Sequence, residues 1–242
     1  MQEKTSHFVC VCGQHQLSPK KDTIFEKSDT DLYKWFFALY LFSVSKNGVS
    51  AKELQRHLKV TYKTAWRIGN QIRKLFAEYN LTLSGEVEAD ETYIGGKGGN
   101  NKRGRGAEKK TAVFGMVQRK GSIKAEVVAN VKAKTLLAKI ENTVKKESVL
   151  MTDEFKSYNR VKKLGYGHMR VKHSSKQYVS GRAHTNTTEG FWSQLKRSIN
   201  GTYHAVSPKH LQTYVDEFSW RYNRRELASA FEPLMARAGQ RG

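Results

Sequence analysis

Cysteine is almost missing from this 242-residue chain. Cys10 and Cys12 are its two thiols, and such a pair does not make the cross-linked framework of a secreted domain. Nothing at the N-terminus has the apolar centre of a secretory leader. Long hydrophobic runs are missing too: the longest, WFFALYLF at residues 35–42, falls far short of the roughly 20 residues that span a bilayer. These absences point to a cytoplasmic protein with no membrane partner. No internal repeat is visible. Acid is scarce as well, with 22 Asp and Glu against 43 Lys and Arg, a formal charge of +21.

What is present follows from that imbalance. A basic surplus of this size suits a polyanion, because every phosphate contact releases counterions. It is spread along the chain: residues 1–80 hold 13 bases and 7 acids, and residues 81–242 hold 30 and 15. Both parts are therefore expected to touch nucleic acid. Hydrophobic residues make up 38%, enough for a folded core.

Residues 1–28 are polar and irregular. From Asp29 the periodicity predicts a helix, with Ser28 or Asp29 as its cap and Leu32, Trp35, Phe36, Leu39 and Tyr40 at helical spacing. Residues 48–76 read as two short helices. Ser50 caps the first, with Glu53 three residues on as in a capping box. Leu54 and Leu58 face inward, Lys59-Val60 turns the chain, and Thr61 caps the second, whose buried stripe is Ala65, Ile68 and Ile72. Lys63, Arg67 and Arg73 are left to point outward. That is the pattern of a helix-turn-helix, whose second helix enters the major groove, although helical hairpins without that role share it.

The rhythm changes near Leu83–Gly85. Residues 86–96 alternate as a strand does, and a Gly-, Lys- and Arg-rich stretch at 95–110 reads as a loop beside DNA, with Lys102, Arg103 and Arg105 as contacts. Its GGKGGN lacks the spacing of a phosphate-binding loop. Residues 111–119 and 122–131 look like a strand pair joined at Lys120-Gly121. Ala133 to Lys145 is helical, and 148–153 is a short buried strand ending in acid. Helices are expected from Thr188 to Ile199 and after Ser207-Pro208. The order of strands and helices is that of an α/β, RNase H-like fold following a small helical region.

Three acids sit where chemistry can use them. Asp90 lies within the first strand, Asp153 follows a short apolar strand, and Glu189 opens a helix. Lys196, seven residues on, shares the face of Glu189. Phosphoryl transfer on DNA needs carboxylates converging on Mg²⁺, yet acids at strand ends are also common turn residues and caps. Glu88 shares the strand face of Asp90, whereas Glu91 points the other way.

VEADETYIGGK (87–97), TDEFKSYNRV (152–161) and the segment HTNTTEGFWSQLKRSINGTYHAVSPKHLQTYVDEFSWRYNRRE (184–226) resemble the ISXO-type group of bacterial insertion-sequence transposases. These are DDE enzymes with an N-terminal zinc ribbon and helix-turn-helix before an RNase H-like catalytic domain. DTIFEKSDTDLYKWFFALYLF (22–42) and SAKELQRHLKVTYKTAWR (50–67) extend the likeness over most of the chain. The resemblance implies a transposase that cuts element ends and joins them to target DNA, using Mg²⁺ or Mn²⁺ in its place. Asp90 and Asp153 match the first two catalytic, metal-binding acids. Glu189 is the choice for the third, with Asn186 in reserve, and Lys196 matches the basic residue that grips a terminal phosphate. The domains implied are a ribbon remnant (1–28), a helix-turn-helix region (29–82) and the catalytic domain (85–242). Double-stranded DNA is the partner, a homo-oligomer forms on it, and the protein keeps to the nucleoid. The ribbon departs from the family: only Cys10-Val11-Cys12-Gly13 stands where two C-x-x-C pairs are usual, so zinc is not expected. That departure makes a decayed or domesticated copy, acting only as a DNA-binding protein, the rival reading.

Overall fold

The computed structural model describes residues 8–9, 16–95, 110–171 and 184–240. Lys102, Arg103, Arg105, Cys10 and Cys12 lie outside the described residues. In chain order the elements are β1 (Phe8–Val9), β2 (Gln16–Leu17), α1 (Leu32–Val44), α2 (Ala51–Leu58), α3 (Tyr62–Lys74), β3 (Glu86–Gly95), β4 (Lys110–Gln118), β5 (Ile123–Val128), α4 (Ala133–Thr143), β6 (Val149–Thr152), β7 (Gly167–Arg170), α5 (Asn186–Ser198), α6 (Leu211–Asn223) and α7 (Phe231–Ala238). They divide into two compact units, one of Met1–Leu75 with Leu227–Gly242 and the other of Phe76–Glu226.

In the first unit α2 and α3 form the expected hairpin. The Ser50 hydroxyl accepts the Glu53 N–H at 3.1 Å, and the Thr61 hydroxyl accepts the Thr64 N–H at 3.3 Å, so both helices start where a short oxygen can satisfy an orphan donor. Lys59 turns the chain between them with φ 51°. α1 starts later than its sequence suggests, after Asp31; the Ser28 hydroxyl accepts the Thr30 N–H at 3.2 Å in a local turn and the Trp35 indole N–H at 3.1 Å. Its buried face is Trp35, Ala38, Leu39 and Phe42, while Phe36 and Tyr40 are exposed. α7 joins this unit, with Phe231 edge-on to Tyr40 at 6.2 Å.

One expected outward side chain turns inward. Arg73 is only 3% exposed; its Nη2 donates to the Val49 carbonyl at 2.7 Å, and its guanidinium lies 5.1 Å from the Phe42 ring centre. Gly69 makes the room, since a Cβ there would come within 3.1 Å of Arg73 Nη1. Arg73 is therefore a structural cation. A side chain long enough to fold back over one helical turn escapes any reading by helical face alone.

The second unit is built on a five-stranded sheet in the order β5-β4-β3-β6-β7. β3, β4 and β5 run antiparallel, and β6 and β7 are parallel to β3 and to each other. That order and direction is the RNase H-like topology. β4 is buried almost throughout, as a central strand covered on both faces must be. One face packs Val87, Ala89, Phe114 and Leu150 against Leu136 and Ile140 of α4. The other packs Val113, Val117 and Ala125 against Phe191 and Leu195 of α5 and Val215 of α6. β7 was not foreseen: GHMR is a short, mostly exposed edge strand, and only pairing with β6 makes it one.

Candidate active site

Strand alternation divides the acids of EADE (88–91) between the two faces of the sheet. Asp90 lies on the face covered by α5, where the Trp192 indole N–H donates to its Oδ2 at 3.0 Å. The register puts Gly115 of β4 beside Asp90. A Cβ on Gly115 would sit 2.6 Å from Trp192 Cη2 and Cζ2, so this glycine is what lets the indole reach the carboxylate. Gly115→Ala is therefore expected to displace a large buried side chain, lowering stability by about 1–3 kcal/mol. Thermal melts and the indole N–H resonance of Trp192 check it; an unmoved resonance contradicts this account.

Asp153 follows β6 directly. The parallel register pairs Glu86 with Val149, Val87 with Leu150 and Glu88 with Met151, and Asp153, one residue past the end of β6, lies close enough for its charge to act on Asp90. Asp153 Oδ1 accepts the Phe155 N–H at 2.9 Å, the local side-chain turn that ends a strand. Burial first, then the negative charges of Glu91 and Asp153, raise the Asp90 carboxyl from 3.8 to about 7, against the lowering effect of hydrogen bonds from the Glu91 backbone and Trp192. Burial and neighbouring negative charge both disfavour the ionised form of Asp90. The all-oxygen donor set of Asp90 and Asp153 suits Mg²⁺ or Mn²⁺, which use one or two carboxylates and leave other positions to water and phosphate.

Glu189 is not drawn into that pair. It is exposed on the first turn of α5 and accepts the Thr185 hydroxyl at 3.2 Å. Among the described residues no three His, Cys, Asp or Glu side chains converge closely enough to hold a metal. Asn186, also exposed, opens the same helix. Lys196 is half-buried; burial lowers its pKa, opposed by attraction to Asp90 and reinforced by Lys110. The imidazole of His168 is pushed down to about 4 by burial and then by Arg170 and Lys162, and its Nε2 lies 2.9 Å from the Thr152 hydroxyl.

Glu88 supplies a link that the sequence did not disclose. Fully buried, it accepts the backbone N–H groups of Thr187 at 2.9 Å and Thr188 at 3.1 Å, capping α5 from a strand 99 residues earlier. Arg119 donates its Nε to Glu88 at 3.0 Å and its Nη2 to the His184 carbonyl at 3.2 Å. His184 Nδ1 lies 3.2 Å from Glu88, at ion-pair distance but without hydrogen-bond alignment. The two-residue spacing of Glu88 and Asp90 was the available signal for a shared face; the capped helix was not in it.

In the first unit, Lys63 is exposed on α3. Arg67 is partly buried, its Nη2 donating to the hydroxyls of Ser28 at 3.0 Å and Thr30 at 3.3 Å. Both line an open cavity of about 510 Å³ with Lys27, Lys34, Asp29 and Asp31.

A family model described as an ISXO2-like transposase domain matches residues 82–223. An uncharacterized protein in transposable element ISH50 of Halobacterium salinarum is 28% identical over 233 residues, 88% of this chain and 77% of that protein. An uncharacterized transposase-like protein of Haemophilus influenzae is 32% identical over 108 residues, 45% of this chain and 86% of that protein. Among solved structures, the catalytic core domain of BIV integrase shares 14% identity and a TM-score of 0.36, covering 56% of this chain and 81% of that one. The Mos1 strand transfer complex shares 13% and 0.30, covering 78% and 73%.

Proposed function

This chain belongs to the ISXO2-like transposases, and from that premise we propose that it cuts DNA at the ends of an insertion sequence and joins those ends to target DNA, with Asp90 and Asp153 as metal-holding catalytic acids. The observation that carries this reading is Asp153 following the end of β6, the strand parallel to β3, close to Asp90, whose carboxyl is raised to about 7 by burial first and then by the charges of Glu91 and Asp153. A divalent metal bound there supplies Lewis-acid stabilisation of the reacting phosphate and a more acidic attacking hydroxyl.

Helix geometry supports Glu189 as the third acid. At about 100° per residue, Lys196 lies about 40° and Glu189 about 60° around α5 from Trp192, the side chain that reaches Asp90, whereas Asn186 lies about 120° away. A rotation of the Glu189 side chain from its bond with Thr185 aims it along the Trp192 face. Lys196, already within the field of Asp90, is placed to hold a terminal phosphate.

DNA is held, in this reading, by the basic surface of both units, with α3 as the recognition helix and Lys63 and Arg67 as its contacts; Lys102, Arg103 and Arg105 remain candidates by charge. Joining two ends to one target requires two active sites, hence an oligomer on DNA. No helix among the described residues is long and apolar enough to cross a membrane, and association with the nucleoid follows from the substrate. The rival role, a copy that only binds DNA, is disfavoured: every acid the reaction needs is retained.

Two experiments test these parts. The protein, incubated with a plasmid carrying its gene and flanks in Mg²⁺ or Mn²⁺, should yield metal-dependent joined ends; binding to the flanks with no cutting at any metal concentration would overturn the enzymatic reading. Lys63→Ala should leave stability within about 0.5 kcal/mol and lower the salt slope of end binding by about one. Arg73→Met should instead lower stability by about 1–3 kcal/mol, because the buried Val49 carbonyl loses its partner. Equal effects of the two on binding, with no difference in melting, would refute this division.

A further inference from the structure

The carboxylate next to Asp90 in sequence lies on the opposite face of the sheet; its charge acts on Asp90, but it is not one of the acids proposed to hold metal. Glu91 is 9% exposed and Tyr158 is fully buried, and the Tyr158 hydroxyl donates to Glu91 Oε2 at 2.8 Å. A buried carboxylate on a strand, received by a buried phenol, costs more than an apolar pair of the same shape, so the pair invites a role beyond packing.

Its place in the chain supplies one. Tyr158 ends the 3₁₀ turn Lys156–Tyr158, which starts just past the Asp153 side-chain turn onto the Phe155 N–H. Ser157 in the same turn donates its hydroxyl to the Val131 carbonyl at 2.8 Å, fastening the turn to the segment before α4. The segment carrying Asp153 is thus tied back to the strand position adjoining Asp90. β6 ends at Thr152, so no strand ladder holds Asp153 itself.

We infer that Glu91 and Tyr158 are positioning residues: their hydrogen bond sets the separation of Asp90 and Asp153 and thereby the affinity of the site for its divalent cation. This inference rests on the proposed function, because it takes those two acids as the metal-holding pair. Burial, then the charge of Glu91, holds the Tyr158 phenol well above its usual pKa, so it remains a donor at any working pH. The brace acts through backbone geometry; neither side chain needs to touch metal or DNA.

The test is Tyr158→Phe, which keeps the ring and removes the donor. Calorimetric binding of Mn²⁺ to the DNA-free protein should weaken about 10- to 100-fold, the usual effect of losing a group that orients a metal ligand. The Mg²⁺ concentration for half-maximal end cleavage should rise in parallel, with much of the maximal rate recovered at saturating metal. A merely structural role would lower the melting temperature and leave metal affinity in the folded protein unchanged; Mn²⁺ affinity equal to that of the unaltered protein overturns the inference. If Tyr158→Phe does not fold, Glu91→Gln decides, since it keeps an acceptor for the phenol without the charge. Mn²⁺ affinity within about threefold then supports a hydrogen-bonded brace, and a loss as large as that of Asp153→Asn shows a charge acting directly and overturns it. Asp153→Asn run alongside separates the two ideas: if it cleaves normally, the catalytic assignment has failed, whatever Tyr158→Phe does.

Discussion

Asp153→Asn should lose end cleavage and strand transfer by at least about 10³-fold while binding element ends within about twofold of the unaltered protein. A metal ligand contributes several kcal/mol of transition-state stabilisation, and each 1.36 kcal/mol is a factor of ten in rate. End binding, by contrast, draws on phosphate contacts from basic residues, and Asn has nearly the volume of Asp. The substituted amide still accepts the Phe155 N–H through its oxygen, so the turn after β6 is kept. Gel-shift titration and strand-transfer assays on one preparation give both numbers. Retained cleavage would remove Asp153 from the active site. Loss of binding and cleavage together would show that the substitution had disturbed the fold, and melting curves would register it.

Asp90→Asn is expected to make the metal-free protein more stable even as it abolishes cleavage. The sign follows from the folded-state pKa of about 7 against 3.8 for the unperturbed group. A carboxyl that is raised on folding favours the folded state most at low pH, below its unfolded value. That advantage is lost as pH climbs from about 4 to about 7, and above pH 7 the ionised group opposes folding in full. Three units correspond to about 4 kcal/mol at 1.36 kcal/mol per unit, and partial relaxation of the site reduces the observable part to about 2–4 kcal/mol. For a chain of this size that is a rise of about 5–15 °C in melting temperature at pH 8. The variant keeps an acceptor for the Trp192 indole, so the gain reflects the charge.

Metal should reverse the comparison. Mg²⁺ binds the folded site and stabilises it by mass action, so the unaltered protein gains and Asp90→Asn gains little. Melts from pH 5 to 8.5, with and without Mg²⁺, give the result. Parallel pH profiles for the two proteins would contradict the account of a carboxyl raised by burial and then by neighbouring negative charge. A destabilised site retained for its chemistry is a familiar trade of stability for activity.

The determining power of the sequence differs element by element. The α2–α3 hairpin was legible because Ser50 and Thr61 act on donors three residues away, and short oxygens before helical stripes leave little else for the backbone to do. β3 to β6 were legible because alternation and continuous apolar runs report a sheet with one or both faces covered. Acids at 90 and 153 stood out for the same reason, being charges in segments that otherwise ask to be buried. These are local periodicities, each contained in a dozen residues.

What only the tertiary structure decided are links between distant segments. Arg73 turned from surface to core because Gly69 opened a gap and the Val49 carbonyl lay within reach. β7 became a strand through pairing with β6 alone, and α7 grouped with the N-terminal helices. Glu88 became the cap of α5, Gly115 made space for Trp192, and Tyr158 met Glu91. Glu189 is a candidate by its spacing, and its carboxylate accepts the Thr185 hydroxyl one turn earlier. The sequence by itself indicated which residues could do the chemistry and on which element each would lie. Their distances from one another required the folded chain, since hydrogen bonds and packing between residues a hundred positions apart leave no periodic trace.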